Sequence, residues 1–416
     1  MSYDNENDKF LSFTRKKCFI GILLLNGILG IMYYFRAQSI TIKTPTNIVS
    51  FYEENIPTSL KTLRNIFKND YIQNDLTSFY STVHRELQLG FRCLRTNTSL
   101  LTQRMKRSKN LYQYEVNNSI ACIHNKTIDL LIMIISKSDN YKVRDAIRRT
   151  WGNIGYLHSK TPFITIKLLF IIDLDENYIR NIYLENELFN DIIQVQLPPR
   201  YTLVTYRVMS ILDWSARFCR QAKYIFKTDD DIFINSPLLI RYVLNLISTS
   251  ISNITNSTSN IKQLKHFNPN SFDLYGYKHS NPGVFRHSDD LVSQRYVITD
   301  DEYPCSRYPD FLSGFGYLIP SVVRDALIYA FYYDDHPFRI SDVYITGILP
   351  DYLDIRRTPM SNYNIRYSGS CDQFFDNYKQ SFACASGEHH GDNTDVFILY
   401  NKYWKILKGN IQAIYA

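Results

Sequence analysis

Tyr224-Ile225-Phe226-Lys227-Thr228-Asp229-Asp230-Asp231-Ile232-Phe233-Ile234-Asn235 sets three consecutive carboxylates between two β-branched and aromatic runs. The flanks have strand character, so the triplet is predicted to lie at a strand end or in the turn beyond it. Three adjacent like charges repel one another unless a cation neutralises them. Their oxygens suit a hard divalent ion, Mg²⁺ or Mn²⁺, and such an ion at a sheet edge is a place to dock a diphosphate. A solvated turn is the commoner meaning of an acidic triplet. The apolar flanks weigh against it here, because acidic surface turns lie in polar surroundings.

Upstream, strand and helix alternate. Ile128 to Ser136 is a continuous apolar run of the kind buried in a parallel sheet, and Ile164 to Ile172 is a second. A helical stretch near 175–190 and a short strand at Ile192–Val195 follow. Tyr201 to Cys219 then reads as an amphipathic helix with Val204, Val208, Ile211 and Trp214 on one side. The alternation predicts βαβ units and an α/β fold around a mostly parallel sheet flanked by helices, with ligands at the carboxyl ends of the strands. Past the triplet, Ser236-Pro237 opens a helix predicted to run to about residue 247, and the polar run 248–260 reads as an exposed loop.

Three further stretches carry candidate chemistry. In Asp139 to Gly152, Arg144, Arg148 and Trp151 share one helical face just after a strand. That placement suits a phosphate site, although taken alone a surface helix with solvated arginines is the commoner meaning of such a face. Tyr308 to Ile319 sets Gly314 and Gly316 among aromatics, which suits backbone closing on a planar or sugar ligand, or an ordinary turn beside a core strand. Arg339 to Leu349 puts Asp342 at the head of an apolar helix, as a first-turn acid or as a general base in a partly apolar pocket.

The chain has 416 residues and a net charge of +7. The positive excess is not gathered into a basic block, so no nucleic-acid partner is inferred. Residues 18–35 carry no charge and would span about 27 Å as a helix. Arg15-Lys16-Lys17 precedes them, which predicts a membrane signal anchor with a cytosolic tail at 1–17. Residues 36–125 read as a lumenal stem that holds the domain at 126–416 off the membrane. Sequons at Asn97, Asn117, Asn125, Asn253 and Asn256 agree with a secretory compartment. Outside the apolar segment, Cys93, Cys122, Cys219, Cys305, Cys371 and Cys384 can pair in 15 ways.

Arg144 to Gly152, Lys227 to Asn235, Tyr308 to Tyr317 and Asp342-Val343-Tyr344 occur in the order and approximate spacing of one family. The chain resembles the β1,3-glycosyltransferases, which include β1,3-galactosyltransferases, β1,3-N-acetylglucosaminyltransferases and, more distantly, Fringe. The resemblance implies a GT-A-type catalytic domain and an inverting hexosyltransferase, most of all a galactosyltransferase. It implies a UDP-sugar donor, Mn²⁺, a glycan acceptor on glycoprotein or glycolipid, and a single-pass type II Golgi membrane protein with a lumenal catalytic domain. It gives Asp231 and Asp229 the metal, with His390 or its neighbour His389 completing the site. Asp229 and Asp230 become nucleotide-sugar contacts, and Arg144, Arg148 and Trp151 lie at the nucleotide end. Arg207 stands where the family has lysine; Gly314, Gly316 and Tyr317 form a donor-and-acceptor loop; Asp342 is the catalytic base. Two departures stand out: Ser341 replaces a glutamate before the base, and Leu312 replaces a cysteine, with Cys305 a few residues earlier. Ser341 keeps open a non-catalytic glycan-binding or accessory member. A metal-dependent nucleotide-sugar hydrolase is a weaker rival.

Overall fold

Nine consecutive residues of Ile128–Ser136 are buried, and they form the strand at the middle of the fold. The structure is a computed structural model. It describes residues 112–255 (124 and 126 apart), 273–360 (291, 292, 335 and 336 apart), 366–368, 371, 381–385 and 395–409. The expected anchor at 18–35, most of the expected stem, Asn97, Asn256, His389 and His390 lie outside the described residues. Among the described residues no helix is long and apolar enough to cross a membrane.

In chain order the strands are β1 (Tyr114–Val116), β2 (Ile128–Ser136), β3 (Ile166–Asp173), β4 (Ile192–Val195), β5 (Ala222–Asp229), β6 (Ile232–Ile234), β7 (Asp273–His279), β8 (Phe311–Pro320), β9 (Arg356–Pro359), β10 (Arg366–Ser368) and β11 (Ser381–Ala385). The helices are α1 (Tyr141–Arg149), α2 (Ile154–Lys160), α3 (Ile179–Phe189), α4 (Val204–Phe218), α5 (Ser236–Thr255) and α6 (Ser321–Tyr333). Helix α7 starts at Ser341–Val343, passes through a π-helical turn at Tyr344–Ile348 and ends at Leu349–Tyr352. The last described helix, α8, is Val396–Gly409.

Among the described residues these strands make an eight-stranded sheet in the order β1-β4-β3-β2-β5-β8-β7-β9, and a three-stranded one, β10-β11-β6. β4, β3, β2 and β5 are parallel, whereas β8 runs antiparallel to both β5 and β7. The chain builds outward from β2 to β4, then returns to lay β5 on the other side of β2. That reversal is a topological switch point, and the carboxyl ends of β2 and β5 form its rim. The apolar runs of β2, β3 and β5 read as parallel strands because they are buried along nearly their whole length, on both faces of the sheet.

Two expected boundaries move. The stem was expected to reach residue 125, but β1 pairs with β4, and Cys122 is bonded to Cys219 across 97 residues. Closing so long a loop restricts the unfolded chain by about 4 to 5 kcal/mol, and it fixes the segment before β2 to the end of α4. Helix α5 continues through Thr255, into the predicted loop. Cys371 pairs with Cys384, and Cys305 is also disulfide-bonded.

Gly316 lies where β8 crosses β5, and an added Cβ would sit 2.5 Å from Cζ of Phe226. The glycine lets the Phe226 ring stand against the β8 backbone, with Phe382 meeting the ring edge-on at 5.6 Å. Gly316→Ala is therefore expected to destabilise the fold by about 1 to 3 kcal/mol, read by urea unfolding. Adding Phe226→Leu should recover part of the loss; a strictly additive double variant would contradict the contact.

Candidate active site

The acidic turn is held by its middle residue. Asp230 N–H donates to the Ile135 carbonyl at 3.0 Å, and its own carbonyl accepts from the Tyr400 hydroxyl of α8 at 2.9 Å. Its buried carboxylate accepts from Nδ2 of Asn140 at 2.9 Å and from the Ser136 hydroxyl. Asn140 stands at the N-terminus of α1 without capping it, its side chain being used on Asp230. These bonds tie the turn to the carboxyl end of β2 and leave Asp229 and Asp231 half-buried on either side.

Behind the turn lies Lys227, 2% exposed, with Nζ 3.0 Å from Asp229 and the ammonium 5.6 Å from the centroid of the Tyr317 ring. Nζ also donates to the Gly314 carbonyl at 3.4 Å, and the Gly314 N–H donates to Asp342. A Cβ at Gly314 would collide with Oδ2 of Asp342, so the glycine makes room for that carboxylate. The metal-type carboxylates and the candidate base thus share one cleft, with a buried cation and the Gly314 backbone between them. Burial, opposed by Lys227, raises the Asp342 carboxyl above its ordinary value. Burial raises Asp229 and Asp230 to about 6, and the Asp231 charge adds to both. For Lys227 burial works downward, and Asp229 and Asp342 overcome it and raise the ammonium.

The expected arginines take other roles. Arg144 is fully buried and all its N–H groups are used, on both Glu185 oxygens, the Ser136 hydroxyl and the carbonyls of Lys137 and Ser138. It acts on the acidic turn through Ser136, which it orders from behind. Arg148 pairs with Glu185 and Asp191 between the Phe170 and Phe189 rings, and Trp151 lies in the hydrophobic core. Arg207 forms a two-pronged pair with Asp173 at the carboxyl end of β3. Gly314 and Gly316 accommodate Asp342 and Phe226, and Tyr317 is buried against Lys227.

Among the described residues no group of three His, Cys, Asp or Glu side chains converges as a ready-made metal site. The donors still fit a hard cation. Mg²⁺ and Mn²⁺ at nucleotide sites take one or two carboxylates, with phosphates and water filling the remaining positions. Burial and mutual repulsion already hold two carboxyls near pH 6, and a divalent charge would relieve both.

The galactosyltransferase family model matches residues 142–361, more than half of the chain. The chain belongs to the β1,3-glycosyltransferase family. Of this family's members, it is 27% identical over 290 residues to "Lactosylceramide 1,3-N-acetyl-beta-D-glucosaminyltransferase B" of Danio rerio, covering 68% of each chain. It is 30% identical over 256 residues to "Beta-1,3-galactosyltransferase 1" of Mus musculus, covering 61% of this chain and 69% of the relative. It spans 60% of the length of the human lactosylceramide enzyme. A glycosyltransferase involved in glycosylation of the PBCV-1 major capsid is similar at 8% identity and a TM-score of 0.29, over 66% of this chain and 99% of that one.

Three residues of this family member's cleft carried no role in the sequence reading: Lys227, Asn140 and His279. His279 stacks on Phe311 at 4.8 Å, and the charge of Asp342 reaches it. Lys227 had a legible signal, since a lysine inside a strand that is otherwise apolar needs a buried partner. His279 and Asn140 had none, because only the long-range pairings bring them here. Arg144→Met removes the cation from a buried network and is expected to cost about 3 to 5 kcal/mol in urea unfolding. A variant as stable as the parent would mean that the guanidinium does not order the turn.

Proposed function

We propose that this family member is an inverting hexosyltransferase of GT-A type that moves galactose or N-acetylglucosamine from a UDP-sugar, in β1,3 linkage, onto a glycan acceptor. One observation supports the reading: Gly314 accepts from Lys227 through its carbonyl and donates to Asp342 through its N–H, so the Asp342 carboxylate and the Asp229–Asp231 turn lie on either side of one lysine and one glycine. Asp231 with Asp229 would hold Mn²⁺, which when bound neutralises the diphosphate and makes UDP a better leaving group.

Asp342 takes the proton from an acceptor hydroxyl, and the oxygen attacks the anomeric carbon from the face opposite UDP. The carbon–oxygen bond to UDP breaks as the new one forms, and a single displacement inverts the centre. Lys227 keeps Asp342 ionised for this step, and Gly314 fixes the carboxylate in place by its N–H. Ser341, standing where a glutamate was expected, is buried with Oγ 3.5 Å from Oδ1 of Asp342, a long polar contact. The reading extends to the compartment: residues 18–35 anchor the chain in the Golgi membrane with the cleft in the lumen. The Cys122–Cys219 and Cys371–Cys384 disulfides support an oxidising setting.

The full chain incubated with a panel of UDP-sugars, Mn²⁺ and glycan acceptors should transfer galactose or N-acetylglucosamine. In the same assay Asp342→Asn should lower kcat by about 10² to 10⁴ while calorimetric binding of UDP with Mn²⁺ holds. Equal glycan binding with no turnover of any donor would favour an accessory role; UDP release that needs no acceptor would favour a hydrolase.

The pH profile gives a second test. Asp342 serves only when ionised, so kcat/KM falls as pH drops through its raised pKa. Lys227 opposes that rise; Lys227→Met should therefore shift the acid limb of kcat/KM to higher pH. A limb that stays in place or moves down would remove Lys227 from this role.

A further inference from the structure

The loop between β7 and β8 holds a group of side chains that the catalytic reading leaves unused. Tyr296 sits in a 3₁₀ turn, Ser293–Tyr296, and its ring meets Tyr201 edge-on with centroids 6.0 Å apart. Tyr201 comes from the turn that opens into α4. Both rings are about 40% exposed, at 41% and 40%. The guanidinium of Arg295 lies 5.0 Å from one centroid and 4.9 Å from the other. Two large aromatics at that exposure, with a cation set beside both, give up apolar area to water that a merely structural cluster would bury.

The group is fixed and it is close to the base. Arg339, three residues before Asp342, donates to the carbonyls of Arg295 and Val297 and pairs with Glu302. Arg286 ties the far side of the loop through the carbonyls of Ile298, Tyr303 and Cys305. The aromatic pair is thus fastened to the segment that leads into α7. The charge of Asp342 reaches the Tyr201 phenol, and Tyr201 and Tyr296 are hydrogen-bonded through their side chains. The diphosphate side of the cleft is the acidic turn, so a surface next to Asp342 serves the other substrate. A pyranose offers an apolar face of C–H bonds with hydroxyls around its rim, which matches aromatic faces bordered by phenol and guanidinium donors.

We propose that Tyr201, Tyr296 and Arg295 form an acceptor subsite that stacks the sugar adjoining the attacked one in a neutral saccharide. The proposal rests on the transferase reading above and adds to it the side and the length of the acceptor. Lactose and methyl β-galactoside serve as two-ring and one-ring acceptors for the full chain with Mn²⁺ and whichever UDP-sugar it turns over. Tyr296→Ala should raise KM for lactose about tenfold relative to that for methyl β-galactoside, and Tyr296→Phe should restore most of the difference by keeping the ring. An unchanged ratio, or a rise confined to the donor KM, overturns the subsite. Saturation-transfer NMR with lactose and no donor reads it independently: contact present in the parent chain and lost in Tyr296→Ala supports the subsite even if no donor is turned over, an outcome that would sink only the transferase reading. No lactose contact in the parent chain overturns the subsite.

Discussion

A lysine ammonium at the end of β5 is buried to 2% exposure, and that constraint organises the cleft. Taking such a charge out of water costs several kcal/mol unless carboxylates stand beside it. Asp229 provides one at 3.0 Å, and Asp342 provides the other from an element more than a hundred residues later. The register of the sheet sets where this happens: Lys227 pairs with Tyr317 across β5 and β8, and Gly314 lies three residues back along β8. The Asp342 carboxylate, a cation and an acidic turn therefore meet because one strand pairing brings the Gly314 backbone between them. Each partner compensates the others, so neutralising Lys227 would leave like charges facing one another.

The three aspartates look alike in the sequence and are used differently. Asp230 is a structural anchor, its backbone and carboxylate engaged by Ile135, Tyr400, Asn140 and Ser136. That anchoring holds the charges of Asp229 and Asp231 next to each other at the rim against their repulsion. Burial, with the Asp231 charge added to it, raises the carboxyls of Asp229 and Asp230. Arg144 contributes from a shell further out, through Ser136, and Arg207 is occupied by Asp173. Within the turn Lys227 pairs with Asp229.

Much of this was legible in the residues. β2, β4 and the acidic turn stand where the apolar runs and the carboxylates put them, β3 begins and ends within two residues of its predicted span, and Asp342 heads a helix as read. What was illegible is long-range. An arginine on the inward face of α1 reads as a phosphate ligand until Glu185, from another helix, is seen to saturate it. Gly314 and Gly316 read as a ligand-binding loop, whereas they lie inside β8 and yield space to a carboxylate and a ring that arrive from α7 and β5. The antiparallel insertion of β8 between β5 and β7 follows from tertiary pairing and has no local signature.

The delivery of Asp342 onto Gly314 depends on a local irregularity in α7. A regular α-helix there would turn 100° per residue from Ser341 onward, but the π-helical turn at Tyr344–Ile348 inserts a residue and changes which side chains face β8. Thr346 is one of them: its hydroxyl accepts from the Leu312 N–H at 2.8 Å and donates to the Asp342 carbonyl at 2.5 Å. Gly347 packs its backbone against Phe311, where a Cβ would come within 3.0 Å. The start of β8 is thereby bonded to a helix side chain, and the same hydroxyl grips the backbone of Asp342. Asp342 is aimed by its neighbours on β8, and Ser341 bears only a long contact to it. A serine at position 341 is therefore compatible with this placement of the Asp342 carboxylate, which β8 and Thr346 hold.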